Sequence, residues 1–180
     1  MIYTDDEIIE LCRSSRTRER GFRILLTQYK ERIYWHIRRM LYDHDDTNDV
    51  VQNVFIKVWK SLDSFRGDSK LYSWIYRIAT NESLNYIRKM KKHKGISVDD
   101  VEFLLVAPSD NQLMTGDIIE KKLHKAVAKL PDKQRLAFNM KYFDHLKYSE
   151  ISKILGVSEG TLKANYFYAV RKIEKFLSDD

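Results

Sequence analysis

Apolar positions along this chain return repeatedly to one helical face. Ile24, Leu25, Ile33, Ile37 and Leu41 recur at spacings that predict a helix in the first block. The acidic stretch Asp43 to Asp49 suits a helix N-terminus, where carboxylates favour the dipole. From it runs an i, i+3/i+4 stripe of Val50, Val51, Val54, Phe55, Val58, Trp59 and Leu62. Phe65-Arg66-Gly67-Asp68-Ser69-Lys70 breaks the period with turn residues. Leu71, Trp74, Ile75, Ile78 and Ala79 then predict another helix, which ends in the basic run Arg88, Lys89, Lys91, Lys92 and Lys94, with Gly95 as its stop.

Residues 95–116 carry Gly95, Pro108, Ser109 and Gly116 without a sustained period and read as a linker, with Val101 to Val106 able to pack locally. A second block opens on Ile118, Ile119, Leu123, Ala126, Val127 and Leu130, and Pro131-Asp132 restarts the chain into a new helix. In the segment Tyr148 to Lys163, a short helix with Ile151, Ile154 and Leu155 inside meets Gly156, which can adopt the positive φ of a tight turn. Val157 is expected to plug the corner, small Ser152 to let the helices approach, and Ser158 to cap a second helix at Glu159-Gly160-Thr161. This is helix-turn-helix grammar, in which the second helix enters the DNA major groove. An ordinary αα-hairpin with a glycine turn is the plainer alternative.

Composition narrows the choice. With two prolines and six glycines in 180 residues, 43% hydrophobic and 32% charged, the chain is no β-sandwich, collagen-like chain or wholly disordered segment. Its one cysteine, Cys12, excludes an intramolecular disulfide framework and a Cys-rich zinc site, and reads as a buried thiol, with a redox sensor as the alternative. The acidic start and the lack of a long apolar run predict no secretory signal and no membrane insertion, hence a soluble cytoplasmic protein. Charge divides by position: a balance of +6 over residues 1–94, −4 over 95–116 and +4 over 117–180. Two basic blocks around an acidic connector suit two contacts on a polyanion.

An enzyme is the first rival. His36, His44, Asp43, Asp45 and Asp46 could be imagined as a metal cluster, but no HExxH, paired-Cys spacing or Gly-rich phosphate loop occurs. The aspartates read as helix N-terminal acids and the two histidines as scattered surface residues. The expectation is no catalysis, no metal and no cofactor.

Two segments together resemble the extracytoplasmic-function group of bacterial RNA polymerase sigma factors. One comprises Asp49 to Trp59, Asp63 to Ser69 and Tyr72 to Asn81; the other comprises Leu130-Pro131, Tyr148-Ser-Glu-Ile and Gly160-Thr-Leu-Lys163. The resemblance implies an all-α protein of two small helical domains joined by a flexible acidic linker. Residues 1–94 would bind the clamp of core RNA polymerase and read and melt the −10 element. Residues 117–180 would read the −35 element, and 95–116 would pass near the RNA exit path. The implied partners are core polymerase, promoter DNA (single-stranded at −10, double-stranded at −35) and an anti-sigma factor. A stand-alone helix-turn-helix regulator is the second rival; it leaves the aromatic segment 65–81 without a task.

The resemblance also distributes roles. It assigns the −10 contact to Phe65, Arg66, Gly67, Asp68, Ser69, Lys70, Tyr72, Trp74, Tyr76, Arg77 and Asn81, with Arg88, Lys89, Lys91 and Lys92 on phosphates; Trp74 and Tyr76 equally fit a core role. It assigns the −35 contact to Lys141, Ser158, Thr161, Lys163, Ala164, Asn165, Phe167, Tyr168 and Arg171, and the clamp contact to Asp49, Gln52, Asn53 and Trp59. Asn53 stands where an acid is frequent, Asn165 and Tyr168 where basic readers are frequent, and Lys147 where a serine cap is common. Small Ala164 and aromatic Phe167 suit thymine methyl groups.

Overall fold

The computed structural model describes residues 3–93 and 118–178; the linker reading of 95–116, with Lys94 and Gly95 at its entry, lies outside the described residues. In chain order the elements are α1 (Asp5–Arg13), α2 (Arg18–Leu41), α3 (His44–Ser61), a 3-10 turn (Leu62–Ser64), α4 (Leu71–His93), α5 (Ile118–Ala128), α6 (Asp132–Phe138), a π-helical turn (Asn139–Phe143), α7 (Tyr148–Leu155) and α8 (Glu159–Ser178). Among the described residues there is no strand.

Local chemistry sets the boundaries. Thr4 and Glu7 form a reciprocal capping box that starts α1. Asp43 Oδ1 accepts from the Asp46 amide at 2.9 Å and starts α3, where the acidic stretch pointed. Tyr42, at φ 61°, turns the chain out of α2. In the second half Pro131 stands at the N-cap of α6 and Ser158 Oγ accepts from the Thr161 amide at the start of α8. Gly156, at φ +69°, lets its amide reach Ser152 O at 2.8 Å and closes α7.

The first half buries Ile8, Leu25, Ile33, Ile37, Val54, Val58, Ile75, Ala79 and Ile87 among α1 to α4. The second half has a smaller cluster of Ala126, Val127, Leu130, Phe138, Ala169 and Ile173. The helix-turn-helix does not complete its packing there. Ala137, Met140, Leu146, Ile151, Ile154 and Leu162 join the first half's core, with α7 against α4 and the π-helical turn against α2. The two helical regions therefore lie directly on each other, an association that the stripes, which give faces and no partners, could not specify.

Three local expectations are corrected. His36 is no surface residue: it is 1% exposed, because α2, α4 and the second half close around it. Val157 is exposed instead of plugging the corner; the turn is tied by Ser152, whose hydroxyl donates to Val157 O at 2.6 Å. Ile119 is also exposed, outside the stripe it was read into.

Cys12 is buried, and burial pushes its thiol up despite the nearby Arg18. A Cβ on Gly21 would meet Leu11 Cβ at 2.8 Å and the Cys12 backbone nitrogen at 2.9 Å. Helix propensity alone favours alanine at Gly21 by roughly 0.5–1 kcal/mol, but displacing a packed helix costs about 1–3 kcal/mol. Gly21→Ala is therefore expected to lower the urea midpoint of unfolding; a raised midpoint would mean that α1 yields without cost.

Candidate nucleic-acid interface

Helix α4 has two faces. Inward it buries Leu71, Trp74, Ile75, Ala79 and Ile87. Outward, Arg77, Asn81, Asn85, Arg88 and Lys92 are exposed and recur every turn or so, forming one polar and basic stripe. Lys89 is exposed beside it and Lys91 is half-buried.

At its N-terminal end this stripe runs into the loop that precedes α4. Ser64, Phe65, Arg66, Asp68, Ser69, Trp74 and Arg77 line a polar cavity of about 110 Å³. The Phe65 and Trp74 rings are largely buried, with centroids 5.0 Å apart and planes tilted by 45°. Gly67 takes φ +81°, and Arg66, Gly67, Asp68 and Lys70 are exposed around the rim. The Lys70 ammonium lies 5.6 Å from the Tyr72 ring.

Two aromatic residues assigned to the same surface behave differently. Tyr76 is 1% exposed and packs edge-on against the His36 ring at 4.9 Å, so it is a core residue and its assignment as a DNA contact is corrected. Tyr72 is half-buried and donates its hydroxyl to Glu150 of α7; burial and that carboxylate push its pKa up to about 12.

On α8, Leu162, Ala169 and Ile173 point into the protein, while Lys163, Ala164, Phe167, Tyr168 and Arg171 are exposed and Asn165 is half-buried. Phe167 and Tyr168 are 54% and 56% exposed, although they are large apolar rings. The Arg171 guanidinium sits 5.4 Å from the Phe167 ring, and the Lys163 ammonium 5.8 Å from that of Tyr148. Ser158 and Thr161 are exposed at the start of the helix, tied to each other at 2.8 Å. Lys141 is half-buried, donating to Leu146 O at 3.3 Å, with its ammonium 4.9 Å from the Tyr148 ring. At Lys147 the side-chain cap is missing as expected, but Glu150 still accepts from the Lys147 amide at 2.8 Å and keeps half of the capping box.

A third surface lies between α2 and α3. Phe22, Leu26, Tyr34, Val51, Gln52, Phe55, Ile56 and Trp59 are among the residues lining an apolar groove of about 1010 Å³. Of the residues assigned to the clamp, Gln52 and Trp59 line it, while Asp49 and Asn53 are exposed on the same helix. Arg18 fixes Trp59 by lying 4.7 Å from its ring, donating to its carbonyl at 3.0 Å and pairing with Asp63 at 2.8 Å.

Sequence reasoning missed the group that joins the halves. Asp144, with its side chain 1% exposed, binds His36 Nδ1 at 2.6 Å and also pairs with Arg39. His36 Nε2 contacts Thr80 Oγ1 at 2.9 Å, and Thr80 donates to Tyr76 O at 2.8 Å. Burial raises the Asp144 pKa, but His36 and Arg39 together outweigh it and hold the carboxyl below its usual range. No local signal could have found this cluster, because Asp144 stands 108 residues from His36.

One exposed basic face lies on the helix-turn-helix and another beside a polar cavity. Family models match both halves: Sigma-70 region 2 over residues 25–93, and Sigma-70, region 4 over residues 120–173. The RNA polymerase sigma-H factor of Pseudomonas aeruginosa is 31% identical, covering 96% of this chain and 93% of that protein. The ECF RNA polymerase sigma-E factor of Escherichia coli K12 is 30% identical, covering 95% and 93%. The sigma factor RpoE in complex with the anti-sigma factor NepR from Bartonella quintana shares the fold, at 23% identity and a TM-score of 0.70, over 88% of this chain and 98% of that one. CnrH in complex with the cytosolic domain of CnrY does so at 19% identity and a TM-score of 0.70, over 98% and 99%.

The chain belongs to the extracytoplasmic-function (ECF) group of RNA polymerase sigma factors. It is an alternative sigma factor that directs transcription initiation, and not an enzyme. Among the described residues no helix is long and apolar enough to cross a membrane.

The lowered pKa of Asp144 has a pH signature. A carboxyl whose folded pKa is depressed stabilises fully above its unfolded value, and that stabilisation is lost as pH falls through the folded value. Denaturation of the wild type and Asp144→Asn, followed from neutral pH down through and below the carboxylate range, should show a gap that narrows as acid protonates Asp144. A gap independent of pH would contradict an ionised Asp144.

Proposed function

We propose that residues 1–94 seat the chain on the polymerase clamp and read and melt the −10 element, that residues 117–180 read the −35 element, and that 95–116 serve as the acidic connector near the RNA exit path. The observation that carries this reading is the continuity between the cavity beside Phe65 and the outward stripe of α4. An extruded base loses stacking and pairing worth a few kcal/mol and needs a pocket with aromatic and polar walls. Phe65 and Trp74 supply the aromatic wall, and Arg66, Asp68, Ser69 and Arg77 the polar one, with Gly67 and Lys70 shaping the rim. Asn81 faces the next upstream bases, and Arg88, Lys89, Lys91 and Lys92 hold phosphates, which position the strand without reading it.

At the −35 element, α8 enters the major groove. Ala164 and Phe167 pack on thymine methyls, Tyr168 and Asn165 read base edges, and Lys163, Arg171 and Lys141 hold phosphates near the capped turn at Ser158 and Thr161. On the polymerase side Asp49, Gln52, Asn53 and Trp59 meet the clamp, with the amide of Asn53 making a softer contact than a carboxylate would. An anti-sigma factor as a further partner is supported by the structural neighbour RpoE, which was solved in complex with the anti-sigma factor NepR. The place of action is the cytoplasm, where core polymerase works.

Run-off transcription from genomic fragments with core polymerase tests the reading as a whole. Specific starts should require the added chain; no binding to polymerase would leave the stand-alone regulator. Phe65→Ala with Asn81→Ala should impair a duplex promoter more than a template already mismatched across the −10 region, and equal losses on both would argue against melting by this surface. At the other element, Lys163→Ala should weaken binding to all sequences alike, whereas Tyr168→Ala should change the base preference. An unchanged preference would mean that Tyr168 is not a reader.

A further inference from the structure

One residue outside the surfaces given to the clamp and to DNA stands between them. Arg18 is the first residue of α2, half-buried, and lines neither the apolar groove nor the polar cavity. Its guanidinium makes three contacts on one short stretch of chain. Cζ lies 4.7 Å from the centre of the Trp59 ring, and Nη2 donates to the Trp59 carbonyl at 3.0 Å. Nη1 donates to both Asp63 carboxylate oxygens, at 2.8 and 2.9 Å. Phe22, one turn further along α2, meets the same indole edge-on at 4.9 Å.

These contacts fall where α3 gives way to the loop. The Trp59 carbonyl is among the last four of α3, at the negative end of the helix dipole, where a cation is favoured. Asp63 is the middle residue of the 3-10 turn Leu62–Ser64. Ser64 and Phe65, the next two residues, are walls of the polar cavity. Within the turn the Phe65 amide donates to Leu62 O at 3.2 Å, and the Ser64 hydroxyl donates to Ser61 O at 2.8 Å. Among the described residues, no hydrogen bond or ion pair other than that of Arg18 reaches this turn from another helix.

Stability alone gives a poor account of the arrangement. Asp63 is 67% exposed, and an ion pair with one partner so far in water contributes little to folding. Arg18 Nε is buried without a hydrogen-bond partner among the described residues, which costs stability. What the guanidinium supplies is geometry. A planar group lying over an indole aims its donors at a carbonyl and a carboxylate together, which a lysine ammonium does not do. The angle between α3 and the turn, and with it the place of Ser64 and Phe65, is thereby set from α2.

We propose that Arg18 is a positioning residue for capture of the −10 base: acting through Asp63 and the Trp59 carbonyl, it holds the turn so that Ser64 and Phe65 form the cavity wall. This inference rests on the −10 reading proposed above. A base stacked on an aromatic wall gains roughly 5- to 150-fold in affinity, and a displaced wall forfeits part of that gain.

The test uses holoenzyme made with saturating core polymerase, so that a changed affinity for the clamp does not enter. The probe is a single-stranded oligonucleotide with the −10 sequence of a promoter mapped by run-off transcription, beside a set made abasic at one position each. For the wild type, one abasic position should weaken binding by roughly 5- to 150-fold. Arg18→Gln should shrink that ratio by about threefold or more while binding of the abasic strand is unchanged. Asp63→Asn should shrink it equally, and the double variant no further. If Arg18→Gln fails to fold, Arg18→Lys, which keeps the charge without the fork, carries the same test. A loss that falls equally on intact and abasic strands would make Arg18 merely structural and overturn the proposal, as would single losses that add in the double variant. A wild type indifferent to every abasic position would remove the −10 reading and this inference with it. A base-sensitive wild type whose ratio Arg18→Gln leaves intact would overturn this inference alone.

Discussion

How the two halves of this molecule meet turns on where one carboxylate sits. Asp144 is removed from water, and an ion in that position is costly unless opposite charge and hydrogen bonds surround it. The groups that meet the cost come from α2, more than a hundred residues earlier. Satisfying Asp144 therefore fixes the second half against the first, and with it the neighbours of α4, the burial of His36 and the continuity of the core through Met140 and Ile151. Apolar packing supplies area in that contact, but area is not directional. The polar cluster supplies the orientation.

Helix α4 joins a buried face to the exposed face that the proposed reading gives to recognition. Its inward residues are part of the main core, and its outward residues form a stripe that carries little packing, so the stripe is free to be polar and basic. The cavity at its start mixes the two roles. Phe65 and Trp74 are anchored deeply enough to be rigid, yet they line a space beside the polar residues of the loop. Rigid aromatic walls with polar neighbours suit an extruded base because little ordering is left to do when the base arrives. In α8 the aromatic pair Phe167 and Tyr168 is left outside any core, which is expensive for a protein in water and is offset, on the proposed reading, when α8 lies against DNA.

A sigma factor has to meet a large partner and two separated DNA elements, and must not scatter over nonspecific DNA meanwhile. Basic faces with a net charge of +6 attract any duplex. The apolar groove beside Trp59 is built by α2 and α3, with Gln52 and Trp59 among its lining residues.

By itself the sequence determined the local architecture: the helical class, the acidic start of α3 at Asp43, the break at Phe65 to Lys70, the restart at Pro131 and the Gly156 turn capped by Ser158. Each depends on residues within a few positions of one another, and the physics of caps, turns and period acts over that range. The family followed from the order of two such local patterns. Only the tertiary structure decided which sides of those helices meet. It moved His36 from the surface to the interior, made Tyr76 a core residue, turned Val157 outward and brought Asp144 to α2. A hydrophobic stripe states that a face will be covered and is silent on what covers it. The covering of α4 by α7 is a long-range choice, set by shape and by one buried charge, and neither is written in the spacing of residues along the chain.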